Sequence, residues 1–300
     1  MSGAGVRLPF ARRALHTSDR PSSTAQWTTL GRALELNHTE PIVTDRYAPV
    51  FLSEPSRVLL RGLSATGPAL RRAERLRPLG LATSALCRHR FIDEHLLAAL
   101  PDVEQVMILG AGYDARAYRF ATQIGARPVY EVDLPPLSRR KAAIVAAHRE
   151  MFGHTSVHRV EIDFRTQTLT DRLAGSGFTS GAPTFVVWEG VSPYLTRTAV
   201  NDTLAAVRQV CGTGSVLAMD FWQRVGRIGV YALRLALERS MGLIGEAIGF
   251  TVPPSSVGAL LDGHGFEVID VADGAEMTAR WATGGRSCDP GLYVVAARLG

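Results

Sequence analysis

Residues 106–114 decide the fold, and they read Val106-Met107-Ile108-Leu109-Gly110-Ala111-Gly112-Tyr113-Asp114. The four apolar residues have the character of a buried strand, and they run into a glycine turn with an acid behind it. An open parallel sheet presents its first loop to a nucleotide-like ligand in this way. The stretch therefore predicts an α/β fold with a cofactor site at the glycine turn.

Later apolar runs also end on acids, which extends the sheet and gives the site a charge. We predict strands near 105–110, 128–132, 157–162, 184–189 and 214–220, with helices such as 137–150 and 196–211 between them. The acids at the strand ends are Asp114, Asp133, Asp163, Glu189 and Asp220. Ligands of such sheets bind outside the carboxyl ends of the strands, so these acids should rim one crevice that prefers a cation. Any one of them is explained equally well as a helix cap.

The glycine turn by itself fits two cofactors. A G-x-G-x-x-A pattern starts at Gly110, and Glu131 or Asp133 stands near the place of a ribose-binding acid, so an NAD(P)-dependent oxidoreductase stays open. A pyrophosphate would meet Asp114 at a helix N-terminus, where anion binding relies on bare backbone N–H groups. S-adenosylmethionine carries a sulfonium and an ammonium, which suit an acidic rim. We therefore favour S-adenosylmethionine as the cofactor.

The pattern along the chain predicts three parts. Residues 1–26 have the composition of a disordered tail, with a mitochondrial import peptide as the minor alternative. Residues 27–100 have helical periodicity and predict a leader of short helices that acts as a lid over the site. Residues 101–300 are expected to form the sheet domain, with a lid insertion at about 221–252. A long loop without a clear helix leads to the last strand, which should lie antiparallel near the sheet edge.

Composition narrows the function classes. The formal net charge is +5, but the basic residues are scattered and Lys141 is the only lysine, so no nucleic-acid partner is expected. The most apolar long stretch, 228–250, carries too many charges to cross a membrane. Three distant cysteines suit a reducing, cytoplasmic compartment, and the histidine and cysteine spacing predicts no metal site.

With these residues placed, the sequence resembles the leucine carboxyl methyltransferase family, in particular bacterial small-molecule O-methyltransferases that include polyketide carboxyl methyltransferases. The resemblance spans about residues 34–195 and rests on short blocks in a specific order: 33–35, 44–48, 51–52, 88–93, 109–119, 131–135 and 189–195. It implies a Rossmann-like class I methyltransferase fold with a seven-stranded, mostly parallel sheet and helices on both faces. The phosphatase-directed eukaryotic members carry a lysine in the leader, and this chain has none before Lys141, so the resemblance implies a small-molecule acceptor.

The resemblance also implies roles for single residues. Arg88 would hold the methionyl carboxylate, Gly110 would line the methionine, and Glu189 would receive the ammonium. Asp133 would take the ribose hydroxyls, while Asp163 and Phe164 would flank the adenine. The remaining cofactor-binding candidates are Ala111, Gly112, Asp114, Leu134 and Gly190.

Methyl transfer from a sulfonium already has a good leaving group, so the protein mainly positions the acceptor and excludes water. A carboxylate acceptor needs no general base, whereas a phenol or alcohol needs one, and His89 is the candidate. Tyr194 is a second catalytic candidate. The leading hypothesis is an O-methyltransferase acting on a carboxyl or hydroxyl oxygen, and a non-catalytic nucleoside-binding relative is a further alternative.

Overall fold

The computed structural model describes residues 23–65, 80–153, 156–164, 166–223 and 249–300, and these contain a seven-stranded sheet in the order β3-β2-β1-β4-β5-β7-β6. Neighbouring strands among the first five are parallel, while β7 runs antiparallel to both of its neighbours. The strands are β1 (Gln105–Leu109), β2 (Val129–Asp133), β3 (Val157–Glu161), β4 (Thr184–Trp188), β5 (Val216–Trp222), β6 (Phe266–Ala272) and β7 (Leu292–Leu299). The predicted fold class is confirmed.

Helices precede the sheet and connect its strands. In chain order they are α1 (Ser23–Glu35), α2 (Ala48–Phe51), α3 (Glu54–Ala65), α4 (Leu81–Ala99), α5 (Arg116–Arg119), α6 (Ala121–Ile124), α7 (Pro135–Ala147), α8 (Arg149–Phe152), α9 (Leu169–Ala174), α10 (Arg197–Val210), α11 (Pro254–Asp262) and α12 (Gly274–Trp281). Two short 3-10 helices cover Leu100–Asp102 and Ser192–Tyr194.

The sheet is covered on both faces because its central strands are apolar throughout. Side chains alternate across a strand, so Val106 and Ile108 of β1 join one core cluster while Met107 and Leu109 join the other. The first cluster contains buried side chains of α4, and the second contains those of α10. This two-sided packing leaves the ends of the strands as the place for a ligand.

Two predictions at the C-terminal side of the sheet were wrong in detail. β5 runs to Trp222, so Asp220 lies inside the strand instead of after it, because the antiparallel partner β7 continues the pairing to Trp222. The connection before β7 contains the helix α12. The sequence does contain a signal for the start of α12, because aspartate is a preferred N-cap residue. In the structure Asp273 accepts hydrogen bonds from the backbone N–H groups of Ala275 and Glu276.

The predicted leader divides into two parts. α1 starts at Ser23, so the predicted tail of residues 1–26 ends too late, and α1 with α2 has a small core of its own: Leu30, Ala33, Leu34, Ala48 and Leu52. α4 is different, because Phe91, Ile92 and Leu96 are completely buried against the sheet. That helix is a layer of the main core and not a lid. Most of the proposed insertion at 221–252 lies outside the described residues.

Candidate cofactor site

The strand register brings three of the predicted acids into one row beside the glycine turn. Leu109 pairs with Val132 and Ile108 pairs with Val187, so Gly110 lies level with Asp133 on one side and Glu189 on the other.

On the far side of β4, Trp188 pairs with Met219, which places Asp220 level with Glu189. Asp163 lies two residues beyond Glu161, the register partner of Asp133. The row crosses from β1 to β4, where the strand order reverses and open α/β sheets bind their ligands.

The glycine turn needs its glycines for backbone conformation and for close approach. Gly110 and Gly112 have φ angles of 64° and 44°, which side-chain-bearing residues rarely adopt. A Cβ on Gly110 would lie 2.5 Å from a methyl carbon of Val191. Gly110 itself is exposed, so the turn presents open backbone to the crevice.

Asp133 connects the glycine turn to the end of β2. Its Oδ2 accepts a hydrogen bond of 2.6 Å from the Gly112 backbone, and its Oδ1 accepts one of 2.7 Å from Leu134. Burial raises the pKa of Asp133, and these two N–H donors oppose that shift. Since each carboxylate oxygen has a second lone pair, the half-buried side chain retains acceptor capacity for a ligand hydroxyl.

Arg88 reaches the row from α4 and bridges two of its three acids. Its Nε donates to Glu189 Oε1 at 3.0 Å, and its Nη1 donates to Asp220 Oδ2 at 3.0 Å. Asp220 Oδ1 accepts from the Gly190 backbone at 2.6 Å. A Cβ on Gly190 would lie 3.3 Å from Arg88 Nη2, so only a glycine leaves the guanidinium this much room. Arg88 and Glu189, predicted to hold the carboxylate and the ammonium on the same carbon of the methionine moiety, are thus in direct contact with each other.

Behind this row lies a second arginine, whose role no sequence pattern indicates. Arg116 is completely buried, its Nε donates to Asp93 Oδ1 at 2.7 Å, and its Nη1 lies 2.8 Å from Glu189 Oε2. Its Nη2 donates to the backbone carbonyl of His89 at 3.0 Å. Arg116 therefore ties α4 to the end of β4.

The proposed role of His89 as a general base does not fit this geometry. The side chain is 1% exposed, and its Nε2 lies 2.9 Å from Arg119 Nη1. Its Nδ1 lies 2.8 Å from Arg116 Nη2 and 3.0 Å from Glu189 Oε2. Burial, and next to it the charge of Arg116, lower the pKa of His89, which keeps the ring neutral at neutral pH. Both ring nitrogens face protein groups, so neither reaches into the crevice.

Asp114 also differs from its predicted role as a cofactor ligand. Its Oδ1 accepts from the Arg116 backbone at 2.7 Å, and its Oδ2 accepts from the Arg116 guanidinium. The carboxylate therefore points inward and occupies the N–H group that a pyrophosphate would need. The two helices that follow, α5 and α6, have only four residues each. The loop lacks the long helix of a dinucleotide site.

The charges of this cluster favour a cationic ligand. The arginines at 88, 116 and 119 face four carboxylates, those of Asp93, Asp114, Glu189 and Asp220. Burial alone would raise the pKa of Glu189, but His89 and the arginines outweigh it and hold that pKa well below its usual range. Burial raises the pKa of Asp220, opposed by Arg88.

The other predicted residues lie around the row. Ala111 is buried and, like Gly110, donates its N–H to the Val132 carbonyl, at 3.2 Å. Asp163 and Phe164 are half-buried beyond β3, where the Phe164 ring packs against the second core cluster. Tyr194 is half-buried and lies near Arg88. Burial lowers the pKa of the Arg88 guanidinium, Asp220 and Glu189 raise it, and Tyr194 raises it by a smaller amount.

In the described ranges, no group of three or more His, Cys, Asp or Glu side chains is arranged to hold a metal ion. No helix in the described part of the chain combines the length and apolar character needed to cross a bilayer.

The family model for leucine carboxyl methyltransferase matches residues 25–208, which include α4, the glycine turn and the ends of β2 and β4. The chain belongs to the leucine carboxyl methyltransferase family. The resemblance inferred from the sequence blocks is thereby confirmed, and the chain is a methyltransferase by family.

Curated relatives agree over most of the chain. A protein of Mycobacterium tuberculosis (strain ATCC 25177 / H37Ra), named "Putative S-adenosyl-L-methionine-dependent methyltransferase", is 30% identical over 282 residues, which are 90% of this chain and 89% of that protein. A protein of the same description from Streptomyces coelicolor is 32% identical over 239 residues, 79% of each chain.

Solved structures support the fold. The crystal structure of a methyltransferase from Thermobifida fusca YX, described as putative, superposes with a TM-score of 0.57 at 16% identity and covers 94% of this chain and 96% of that one. A DUF574 family protein from Streptomyces avermitilis gives a TM-score of 0.53 at 13% identity, covering 90% and 97%. At these identities the likeness concerns the fold alone.

Proposed function

We propose that this family member transfers a methyl group from S-adenosylmethionine to an oxygen of a small molecule, and that the oxygen belongs to a carboxylate. The observation that carries the cofactor assignment is the row of Asp133, Glu189 and Asp220 beside the exposed Gly110. S-adenosylmethionine, when bound, supplies a methyl group on a sulfonium that leaves as a neutral thioether. The remaining chemistry consists of holding, orienting and shielding, which this chain's own residues perform.

Each part of the row suits one part of the methyl donor. Asp133 retains acceptor capacity for the ribose hydroxyls, and the backbone N–H of Leu134 holds its carboxylate in place. Arg88 Nη2, which projects over Gly190, is positioned to donate to the methionyl carboxylate. Glu189 carries a fixed negative charge for the ammonium because its pKa is held low. We assign Asp163 and Phe164 to the adenine.

The choice of a carboxylate acceptor follows from the enclosure of His89. A phenol or alcohol has to lose a proton during transfer, which requires a base that reaches the acceptor. Both ring nitrogens of His89 contact protein groups, those of Arg116, Arg119 and Glu189, so neither reaches an acceptor in the crevice. A carboxylate is already ionised at neutral pH and needs only to be placed in line with the methyl group. Tyr194, next to Arg88, is the residue we place against the acceptor.

The leader and the insertion are proposed to supply the acceptor pocket. α1 lies directly over the glycine turn, since a Cβ on Gly112 would lie 3.8 Å from the Ala25 side chain. Residues 27–65 together with 221–252 would then close over the crevice and exclude water. We further propose a cytoplasmic enzyme of secondary metabolism without a nucleic-acid or membrane partner, and the three free thiols of the chain suit that compartment.

Two measurements test the proposal. Calorimetric titration should give binding of S-adenosylhomocysteine and none of NAD, because Asp114 occupies a backbone N–H group that a pyrophosphate needs and adds a negative charge there. Equal binding of NAD would contradict the cofactor assignment.

Incubation with methyl-labelled S-adenosylmethionine and matched sets of small carboxylic acids and phenols should label only acids, as base-labile esters. Labelled phenols would contradict the carboxylate assignment. Cofactor binding without transfer to any acceptor would favour the alternative of a non-catalytic nucleoside-binding relative.

A further inference from the structure

Lys141 is the only lysine among 33 basic Lys and Arg residues, and it is buried beneath the glycine turn. Its side chain on α7 is 2% exposed. Its Nζ donates to Glu131 Oε1 at 2.8 Å and to the backbone carbonyl of Asp114 at 2.6 Å. A buried ammonium is tolerated only when it is paired and hydrogen-bonded.

The two contacts of Lys141 fix the end of the glycine turn to β2. Asp133 already accepts the N–H of Gly112, so the middle of the turn is anchored to the carboxyl end of β2. Lys141 anchors its last carbonyl, at Asp114, to Glu131, which lies two residues earlier on the same strand. The turn that contains the exposed Gly110 and the half-buried Gly112 is therefore held to β2 at two points.

We propose that Lys141 is a positioning residue for cofactor binding, holding the glycine turn in its binding shape through the Asp114 carbonyl. This inference rests on the proposed function, since it assigns the turn to S-adenosylmethionine. In this role Lys141 touches no cofactor atom and acts only through the backbone of the turn.

The side-chain type is part of the inference. A compact ammonium fits between one carbonyl and one carboxylate oxygen, whereas guanidinium is longer, planar and built for paired acceptors. All the remaining Lys and Arg positions of the chain are arginine, and the geometry gives a physical reason why this one is lysine.

A double variant separates positioning from plain stabilisation. Among the described residues, Lys141→Met leaves the buried Glu131 with the weak contact to Arg159, whose Nε lies 3.7 Å from Glu131 Oε2, so both stability and binding should fall. Lys141→Met with Glu131→Gln removes both charges and should restore most of the unfolding midpoint. It leaves the Asp114 carbonyl without its donor, so the dissociation constant for S-adenosylhomocysteine should remain about tenfold or more above the wild-type value.

Controls and a second readout make the test decisive. Glu131→Gln alone keeps Lys141 on the Asp114 carbonyl and should bind S-adenosylhomocysteine nearly as the wild type does. Lys141→Arg should bind it as weakly as Lys141→Met does. Hydrogen exchange of the amides of residues 110–114 in the ligand-free protein should be faster in the double variant. Wild-type affinity together with wild-type exchange in the double variant would overturn the inference. If the wild type binds no S-adenosylhomocysteine, the proposed function fails, and the exchange measurement alone still decides the role of Lys141.

Discussion

Replacing Arg116 with methionine tests whether the buried ion-pair cluster holds the site together. Arg116 is completely buried and contacts the carboxylates of Asp93, Asp114 and Glu189. Each hydrogen bond to a charged group contributes about 1.5–3 kcal/mol. Arg119 still contacts Asp93 and Arg88 still contacts Glu189, so these two acids are not left wholly unpaired.

We therefore expect Arg116→Met to lower the free energy of unfolding by about 3–5 kcal/mol, the usual cost of breaking a buried charge pair. Chemical denaturation followed by tryptophan fluorescence measures this change. Total stabilities of about 5–15 kcal/mol leave a folded but weakened protein. Arg116→Lys should recover little, because an ammonium lacks the fork geometry.

Arg139→Met is the matched control, since Arg139 pairs with Glu161 at 2.8 Å but its side chain is 73% exposed. Screening by solvent makes such a pair worth little, so the denaturation midpoint should stay at the wild-type value. If Arg116→Met shifts the midpoint no more than this control does, the cluster is not a source of stability and the reasoning is refuted.

Three further predictions concern the row of acids and the charged groups that contact it. Asp133→Ala should leave the fold intact and weaken S-adenosylhomocysteine binding by about 1–3 kcal/mol, because a buried hydroxyl pair loses its acceptor; unchanged affinity in a calorimetric titration would reduce Asp133 to a loop anchor. Arg88→Lys should bind S-adenosylhomocysteine as poorly as Arg88→Met, and recovery in the lysine variant would argue against a forked contact. On acidification, the pKa values of Asp93, Asp114 and Glu189 lie below their unfolded values of about 4, because their cationic neighbours outweigh burial. Their contribution to stability is therefore full above about pH 5 and is lost as the pH falls through the native values, with part of the loss offset by the acids whose pKa is raised; a denaturation midpoint that rises steadily from pH 6 to pH 3 would show the opposite sign.

The strands and the glycine turn were predictable because their signals are local. The apolar run before Gly110 and the acid after each run depend on neighbouring residues only, and the structure places those strand ends within about two residues. The true end of β5 depends on its partner β7, about 70 residues later, which no local pattern of that strand contains.

The site residues divide in the same way. Asp133 and Glu189 follow their strands, so their place beside Gly110 could be predicted. The enclosure of His89 could not, because it arises where α4 packs against Arg116 and Arg119 from the turn after β1. Alternation and spacing say which residues share a face, but they do not say which arginine fills the space behind a histidine.

The burial of Lys141 also has a practical consequence for handling the protein. Since the sequence contains no other lysine, the folded chain presents no accessible ε-amine, and reagents that acylate amines should find only the α-amino group. Likewise, a protease that cuts after lysine has a single target, which is reachable only when α7 separates from the sheet. Acylation or cleavage at this one residue is therefore a built-in reporter of opening beneath the glycine turn, readable by mass spectrometry without an introduced label.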